Sequence, residues 1–302
     1  MNKPIGQPCA GESQARLDRE ACCTGLACST GLRNQALAMA SPRILLTGAS
    51  GYLGRYLLAE LGARGLEVVT ERLDLGDREA LARGLSRLQP ARILNAAALA
   101  VLAACERDPA RAWRVNAEAV GALAASGARL LQLSTDLVFD GRSAPYAETA
   151  PPAPLSVYGR TKAAGEQAAL ASPRALVVRL PLLFGPSHDG CRGATDAIRQ
   201  ALASRCPLTL FTDEVRTPLH VRDAAAACVE LLLADAAGIR HLPGPERISR
   251  AELGRRFARS AGLATDGLLH EAPGTDALRP KDVSLAGAWR APRSLAEMLA
   301  DA

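Results

Sequence analysis

The chain has 302 residues, of which 48% are hydrophobic, 22% charged and 3% aromatic, and its formal net charge is +5 at pH 7. This length can bury a sizeable core, and because the basic residues are dispersed and aromatic residues are few, a dedicated nucleic-acid surface is not expected. Charged residues or glycine interrupt every apolar run before the roughly 20 residues of a membrane-spanning helix are reached, so no membrane role is expected either.

The first 38 residues lack an amphipathic period and are rich in Gly, Ser, Thr and Cys. We expect residues 1–38 to be a disordered or dispensable leader before a start near Met39. They have neither the charged start nor the apolar middle of a secretory signal, so a cytoplasmic location is expected. The cysteines there lack the paired spacing and nearby His of a zinc site, and no metal is predicted anywhere in the chain.

From Arg43 onward, short apolar runs alternate with amphipathic segments, which is typical of a parallel sheet covered by helices on both faces. We therefore predict a doubly wound α/β fold with a dinucleotide-binding domain over 39–180. The predicted strands lie near 44–46, 66–69, 93–94, 130–133 and 176–178, and the predicted helices lie from about 52, from 77, over 110–125 and from 157.

The alternation weakens beyond Pro181. This favours a smaller substrate-binding lobe over 181–302, part of which returns to the sheet. Helices are predicted near 193–203, 222–234 and 250–262, and strands near 208–211 and 239–242.

Three glycines, Gly48, Gly51 and Gly54, recur at every third position between the first strand and the first helix. Glycine allows the backbone to approach a pyrophosphate, whose charge the amide groups at the start of the helix can meet. In this position the loop predicts dinucleotide binding. Further contacts are expected from Ser50, Tyr52 and Leu53.

Two residues of opposite charge follow the second strand, roughly 20 positions after the glycines, where the ribose of a dinucleotide is recognised. Glu71 suits the free 2′-hydroxyl of NAD, whereas Arg72 suits the 2′-phosphate of NADP. Either residue could equally be a solvated surface charge. Asp74 and Leu75 come next and are candidates for contact with the adenine end.

Tyr158 and Lys162 lie four residues apart and therefore share one face of a predicted helix. A nearby cation lowers the pKa of a phenol from about 10, so that it can donate a proton near neutral pH. Lys162 is one of only three lysines among 36 basic residues, although arginine would serve as a surface charge. Thr135 follows the fourth predicted strand. Its hydroxyl could donate a hydrogen bond to the substrate oxygen on which negative charge develops, or the residue could simply end the strand.

The segment from Ser134 to Gly141, the Tyr158-Gly159-x-x-Lys162 motif and Asn95-Ala96-Ala97-Ala98 resemble the dTDP-4-dehydrorhamnose reductase family. The likeness runs, with gaps, from about residue 43 to Leu285. It implies an extended short-chain dehydrogenase fold and an oxidoreductase that delivers hydride to the C4 keto group of a nucleotide-linked sugar, as in dTDP-rhamnose biosynthesis. It also favours NADP(H) as the cofactor, which Arg72 permits, with NAD(H) as the alternative.

The resemblance also implies roles for individual residues. Thr135 would polarise the keto oxygen, Tyr158 would protonate it, and Lys162 would tune Tyr158 and hold the nicotinamide ribose. Asn116 would support the architecture of the site. The cofactor channel would be lined by Asn95, Ala96 and Ala97, and substrate contacts would come from Ser134, Asp136, Val138, Phe139 and Arg216.

Two departures from the family pattern concern the substrate. Arg216 stands where many family members have Gly or Ser. Arg216 could bind the diphosphate of the substrate, or it could form an ion pair with Asp213 at the surface. The stretch 99–103 is apolar where the family often has polar and charged residues, so the sugar can differ from that of the family.

Two other functions remain open at this point. One is a sugar-nucleotide epimerase or dehydratase of the same fold; Asp136 adjoins Thr135, as in dehydratases, but no Glu follows it. The other is a non-catalytic regulatory protein, because the beta subunit of methionine adenosyltransferase is similar over the same segments. Under the leading hypothesis the partner is a nucleotide-sugar substrate, and a homodimer is the assembly considered.

Overall fold

The computed structural model describes residues 43–274 and 276–302. In chain order its strands are β1 (Ile44–Thr47), β2 (Val68–Val69), β3 (Arg92–Asn95), β4 (Arg129–Thr135), β5 (Leu176–Leu180), β6 (Leu183–Phe184), β7 (Leu208–Phe211), β8 (Val215–Arg216), β9 (Leu219–His220), β10 (Gly238–His241), β11 (Ile248–Ser249) and β12 (Leu269–Ala272).

The α-helices are α1 (Tyr52–Ala63), α2 (Arg78–Leu88), α3 (Leu102–Arg107), α4 (Pro109–Trp113), α5 (Ala119–Ala125), α6 (Val157–Leu170), α7 (Ala194–Ala203), α8 (Val221–Leu233), α9 (Arg250–Ser260) and α10 (Leu295–Ala300). A π-helical turn (Arg114–Glu118) joins α4 to α5, and a 3₁₀ turn (Asp136–Val138) follows β4. None of these helices is long and apolar enough to span a bilayer, as far as the described residues extend.

Six parallel strands form the main sheet in the order β10-β5-β4-β3-β1-β2. Side chains that alternate along the strands enter two hydrophobic layers, so Leu46 packs with α1 and α8 on one face while Leu45 packs with α2 and α5 on the other. Helices therefore cover both faces, and the predicted doubly wound α/β fold is confirmed.

The order of the strands determines where a ligand site can form. The chain moves outward from β1 to β2 and then crosses to β3 on the other side, which makes the gap between β1 and β3 a topological switch point. Ligands of open α/β sheets bind at the carboxyl ends of the strands beside such a point. Thr47, Asn95 and Thr135 end β1, β3 and β4 at this edge.

The second half of the chain contributes to the same sheet and also forms smaller ones. β10 pairs with β5, whereas β6 with β9, β7 with β12 and β8 with β11 form two-stranded sheets. Part of 181–302 thus belongs to the main sheet. A domain boundary at residue 180 stays a prediction, and the expected leader at 1–38 lies outside the described residues.

Candidate active site

The glycine loop connects β1 to α1 and lies against the loop after β3. Gly48 has a φ of +70°, and a Cβ atom there would lie 2.6 Å from the backbone nitrogen of Ala97. A Cβ atom on Gly54 would lie 2.0 Å from the carbonyl oxygen of Gly48. The conformation and packing of the loop therefore require glycine at both positions.

The start of α1 can accept an anion. Gly51 is the N-cap residue, no side chain of the described residues caps the helix there, and the first turn contains no acidic residue. Because the N-terminal amides of a helix carry a partial positive charge, this end of α1 suits a phosphate group.

A cleft of about 650 Å³ opens beside the glycine loop, between the chain segments that follow β1, β2 and β3. Arg72 is exposed in its lining, whereas the Glu71 carboxylate pairs with Arg87 of α2. Arg55 also lines the cleft and was not among the predicted residues. Its place four residues after Gly51, one helical turn farther on, is the signal that could have indicated it.

Several side chains predicted to contact the cofactor have partners within the protein, and their contacts with a cofactor stay predictions. The Tyr52 hydroxyl donates a hydrogen bond of 2.8 Å to the carbonyl oxygen of Gly185. Leu53 and Leu75 pack in the hydrophobic layers. Ser50 is exposed, and an Asp74 carboxylate oxygen accepts a 2.8 Å hydrogen bond from the Gly76 amide.

Tyr158 and Lys162 lie one turn apart near the start of α6. Ser156 caps this helix, and a Cβ atom on Gly159 would lie 2.4 Å from the carbonyl oxygen of Leu137, so α6 approaches the end of β4 closely. Lys162 is buried, and its Nζ atom donates a 2.6 Å hydrogen bond to the carbonyl oxygen of Leu133. Burial lowers the pKa of Lys162 to about 8, although the Glu166 carboxylate acts in the opposite direction.

Thr135 and Asp136 lie beside the Tyr158 phenol. Burial raises the pKa of Tyr158, the charges of Asp136 and Cys105 raise it further, and the nearby Thr135 hydroxyl lowers it. The expected lowering of this pKa by Lys162 is therefore wrong for the protein alone. Desolvation is the largest cause of the shift, and the Lys162 ammonium group is bound to the carbonyl of Leu133.

A chain of buried hydrogen bonds links the ends of β1, β3 and β4 to Lys162. Thr47 donates to Asn95 at 2.5 Å, Asn95 donates to Gln132 at 2.6 Å, and Gln132 donates to the Leu133 carbonyl at 2.6 Å. The same carbonyl accepts the Lys162 hydrogen bond. Asn95 is thus connected to Lys162 indirectly, through Gln132 and the Leu133 carbonyl. Gln132 was not among the residues predicted from the sequence, although a polar residue within an apolar strand was a signal that could have indicated it.

Asn116 lies in the π-helical turn and connects two segments of the site. Its amide group accepts a hydrogen bond of 2.9 Å from the Leu99 nitrogen and donates one of 3.0 Å to the Leu99 oxygen. It also donates to the Thr161 hydroxyl of α6 at 3.1 Å. These contacts fit the predicted supporting role of Asn116.

Three of the predicted substrate contacts have their side chains in the interior. Val138 and Phe139 are fully buried, and Phe139 stacks on Tyr146 with the ring centroids 4.1 Å apart. The Ser134 hydroxyl donates to Glu166, which forms a buried ion pair of 2.7 Å with Arg179. Because these side chains are enclosed by protein, contact with a substrate would fall to their backbone, and their role in substrate binding stays a prediction.

Arg216 is also buried, which neither of its two interpretations anticipated. Its guanidinium group donates hydrogen bonds of 2.7–3.0 Å to the carbonyl oxygens of Val215, Pro280 and Lys281. Its Nε atom lies 3.7 Å from the Oδ2 atom of Asp136. The alternative of a surface pair with Asp213 is wrong, because Asp213 pairs with Lys281.

The family model described as RmlD substrate binding domain matches residues 42–291. The chain belongs to this family. The predicted resemblance is thus confirmed, and it extends over both the sheet and the smaller lobe of this RmlD-type protein.

The names of the relatives of this RmlD-type chain describe two kinds of protein, a methionine adenosyltransferase subunit and a dTDP-4-dehydrorhamnose reductase. Methionine adenosyltransferase 2 subunit beta of Rattus norvegicus is 32% identical over 81% of this chain and 80% of its own length. The dTDP-4-dehydrorhamnose reductase of Mycolicibacterium smegmatis is 31% identical over 86% of this chain and 77% of its own length. A dTDP-4-dehydrorhamnose reductase from Bacillus anthracis, solved with NADP, shares the fold with a TM-score of 0.79, covering 86% of this chain and 97% of its own at 24% identity.

Proposed function

We propose that the protein is a nicotinamide-dependent reductase of a keto-sugar linked to a nucleotide, with the C4 keto group as the acceptor of hydride. The observation that supports this most directly is the grouping of Thr135, Tyr158 and Lys162 at the carboxyl edge of the sheet. The glycine loop opens at the same edge. The named reductases among the relatives support the same class of oxidoreductase.

The residues of the site fit a dinucleotide. The uncapped start of α1 suits the pyrophosphate, and Gly48 allows the loop to lie against the chain after β3. When bound, the nicotinamide cofactor supplies the hydride. Arg72 and Arg55 line the cleft while Glu71 is paired with Arg87, so the charge available there favours the additional phosphate of NADP(H) over NAD(H).

Each catalytic side chain has a distinct task in this reaction. Thr135 places a hydroxyl beside the phenol, where it can bind the keto oxygen as negative charge develops. Tyr158 gives a proton to that oxygen, and its raised pKa keeps the phenol protonated beforehand. Lys162 holds a positive charge near the site and offers further donors to a ribose.

The test is incubation of the full chain with NADPH or NADH and a panel of 4-keto-6-deoxy sugar nucleotides, followed by mass spectrometry of the products. We expect one sugar to gain a hydride, and deuterium from C4-deuterated NADPH to appear at the sugar C4. An epimerase would change the sugar without net loss of NADPH. Failure to reduce any member of the panel would contradict the proposal.

A binding role is the second candidate, because a relative named methionine adenosyltransferase 2 subunit beta is 32% identical to this chain. Under that function the site would bind a dinucleotide, and the chain would associate with a synthetase without turnover. The presence of Thr135, Tyr158 and Lys162 in one site favours catalysis. Copurification with a synthetase, combined with tight NADPH binding and no turnover, would favour the binding role. A homodimer stays a prediction.

A further inference from the structure

A side chain from a distant part of the sequence holds the start of the helix that carries Tyr158. The Glu106 carboxylate of α3 accepts a hydrogen bond of 2.6 Å from the backbone amide of Val157, 51 positions later in the chain. Val157 is the first residue of α6, so its amide is one of those at the start of a helix that have no partner within the helix. Glu106 therefore binds the backbone directly beside the proposed proton donor.

The contact between Glu106 and Val157 is of a strong kind. A hydrogen bond from a backbone amide to a carboxylate is charge-assisted, and such bonds are roughly twice as strong as those between neutral groups. The carboxylate also lies at the positive end of the helix dipole. Ser156 accepts the amide of Gly159 at 3.1 Å, so side chains hold the amides on either side of Tyr158 in the first turn of α6.

The segment that leads into Glu106 is itself fixed. The Sγ atom of the buried Cys105 donates a hydrogen bond of 3.1 Å to the Leu99 carbonyl oxygen. The Asn116 amide group binds the nitrogen and the oxygen of Leu99 at 2.9 and 3.0 Å. The backbone from Leu99 to Glu106 therefore has a defined position, from which the carboxylate can hold α6.

The same part of the chain is joined to α6 at a second point. Asn116, which binds Leu99, also donates a 3.1 Å hydrogen bond to the Thr161 hydroxyl. Val157 and Thr161 lie four residues apart and therefore on one face of α6, and Tyr158 lies between them in the sequence. The backbone that carries the phenol is thus held before and after Tyr158.

The segment that ends in Glu106 begins beside the proposed cofactor site. It leaves β3 at Asn95, and the two residues that follow lie against the glycine loop. A Cβ atom on Gly48 would lie 2.7 Å from the carbonyl carbon of Ala96 and 2.6 Å from the nitrogen of Ala97. One continuous segment therefore connects the loop that would bind the cofactor with the helix that would supply the proton.

We propose that Glu106 is a positioning residue, whose hydrogen bond to the Val157 amide keeps the Tyr158 phenol where it can protonate the keto oxygen as hydride reaches the carbon. The proposal rests on the reductase function. Hydride and proton must reach adjacent atoms of one carbonyl group, and a misplacement of about 1 Å can lower a rate by about 100-fold. Glu106 acts through the backbone beside Tyr158 and not by contact with the substrate.

The first test replaces Glu106 in three ways in the full chain, which is assayed with NADPH and the keto-sugar nucleotide that it reduces. Glu106→Ala removes the acceptor, so kcat should fall by about 10–100-fold while both KM values change by less than about threefold. Glu106→Gln keeps an acceptor oxygen at the same reach and should retain kcat within about fivefold. Glu106→Asp keeps the charge but withdraws the carboxylate by one methylene group, so its kcat should resemble that of Glu106→Ala.

Glu297→Ala is the matched control. The Glu297 carboxylate accepts a 2.7 Å hydrogen bond from the backbone amide of Ser294 at the start of α10, a helix that carries none of the proposed site residues. Removal of either carboxylate should lower the melting temperature by a similar amount, about 2–4 °C. Only Glu106→Ala should lower kcat.

Two results would overturn the positioning role. One is a kcat for Glu106→Ala that equals that of Glu297→Ala. The other is a retained kcat in Glu106→Asp with a lowered kcat in Glu106→Gln, since this would assign the effect to charge and not to the hydrogen bond. The comparison of these two variants does not depend on the folding of Glu106→Ala.

Amide hydrogen exchange supplies a second measurement, which needs no substrate. The Val157 amide should exchange faster by about tenfold or more in Glu106→Ala, because it loses its acceptor, and at an unchanged rate in Glu297→Ala. Equal exchange of this amide in Glu106→Ala and the unmodified chain would overturn the contact and the proposal. Absence of hydride transfer in the unmodified chain with every sugar tested would instead overturn the reductase function, and the positioning role with it, even where exchange shows the contact.

Discussion

The Nζ atom of Lys162 lies 2.6 Å from the carbonyl oxygen of Leu133, two residues before Thr135 on the neighbouring strand. This hydrogen bond joins α6 to the end of β4. It fixes the Lys162 cation beside the end of the strand that carries Thr135, so the ionisation of Lys162 should affect the site.

The first prediction concerns pH. The pKa of Lys162 is lowered to about 8, so the ammonium group loses its proton as the pH rises through that value. NADPH affinity, measured by fluorescence titration, and turnover should both fall above about pH 8. Since an unfolded lysine titrates near 10.4, the unfolded chain binds more protons between these values, and this group should make the free energy of unfolding increase with pH there. NADPH affinity that stays constant to pH 10 would contradict the prediction.

The second prediction separates the two residues of α6. Tyr158→Phe keeps the ring but removes the hydroxyl, so turnover should fall by about 10²–10⁴-fold while NADPH affinity is retained. Lys162→Met removes the cation and keeps a long stem, so turnover and NADPH affinity should fall together. Near-normal turnover in Tyr158→Phe would show that Tyr158 and Lys162 have a structural role and not a catalytic one.

The third prediction uses two glycines of one loop as a matched pair. A Cβ atom on Gly51 would meet only the Gly48 carbonyl oxygen, at 3.1 Å, so Gly51→Val should fold and yet block the space of the pyrophosphate. A Cβ atom on Gly54 would overlap that oxygen at 2.0 Å, so Gly54→Ala should lower the free energy of unfolding by about 3 kcal/mol or more. Thermal melting and NADPH titration distinguish the two effects. Unchanged NADPH binding by Gly51→Val would remove the loop from the site.

The fourth prediction concerns cofactor choice. Arg72→Ala and Arg55→Ala should each weaken NADPH binding by about tenfold, the loss of one charge-assisted hydrogen bond, and should change NADH binding little. Arg83→Ala on α2 is the control, because Arg83 is exposed and lies outside the lining of the cleft. Equal weakening of both cofactors would show that these arginines do not recognise the 2′-phosphate.

The fifth prediction concerns stability. Arg179→Met leaves the buried Glu166 carboxylate without its cation and should cost about 3–5 kcal/mol in denaturant unfolding. Arg83→Met breaks an exposed pair with Glu79 and should cost less than about 1 kcal/mol. Similar midpoints for the two variants would show that the buried pair adds nothing to stability.

The sequence pattern predicted most elements because each has a clear apolar period. The predicted strand at 208–211 matches β7, and the helix predicted at 193–203 differs from α7 by one residue. The strand predicted at 66–69 shortens to Val68–Val69, since only these residues pair with β1. Tyr158 and Lys162 were identifiable because a spacing of four residues fixes a helical face.

The rest of the site depends on contacts between distant residues, which no local pattern contains. Nothing near Arg216 in the sequence indicates that it faces Asp136, 80 positions earlier. The sign of the Tyr158 pKa shift depends on how far the fold buries the phenol, and the spacing of Tyr158 and Lys162 does not show this. The family resemblance predicts Phe139 as a substrate contact, but no local pattern shows that its ring stacks on Tyr146 in the core.

The π-helical turn at Arg114–Glu118 amounts to one surplus residue within a single long helical segment. Removing one residue from this turn would restore uniform winding, at 3.6 residues per turn. It would also rotate the preceding half of the segment by about 100° relative to the following half. The Asn116 side chain could then no longer form hydrogen bonds with Leu99 and Thr161 at the same time. A one-residue deletion here should therefore make the helix more regular and lower the activity of the site.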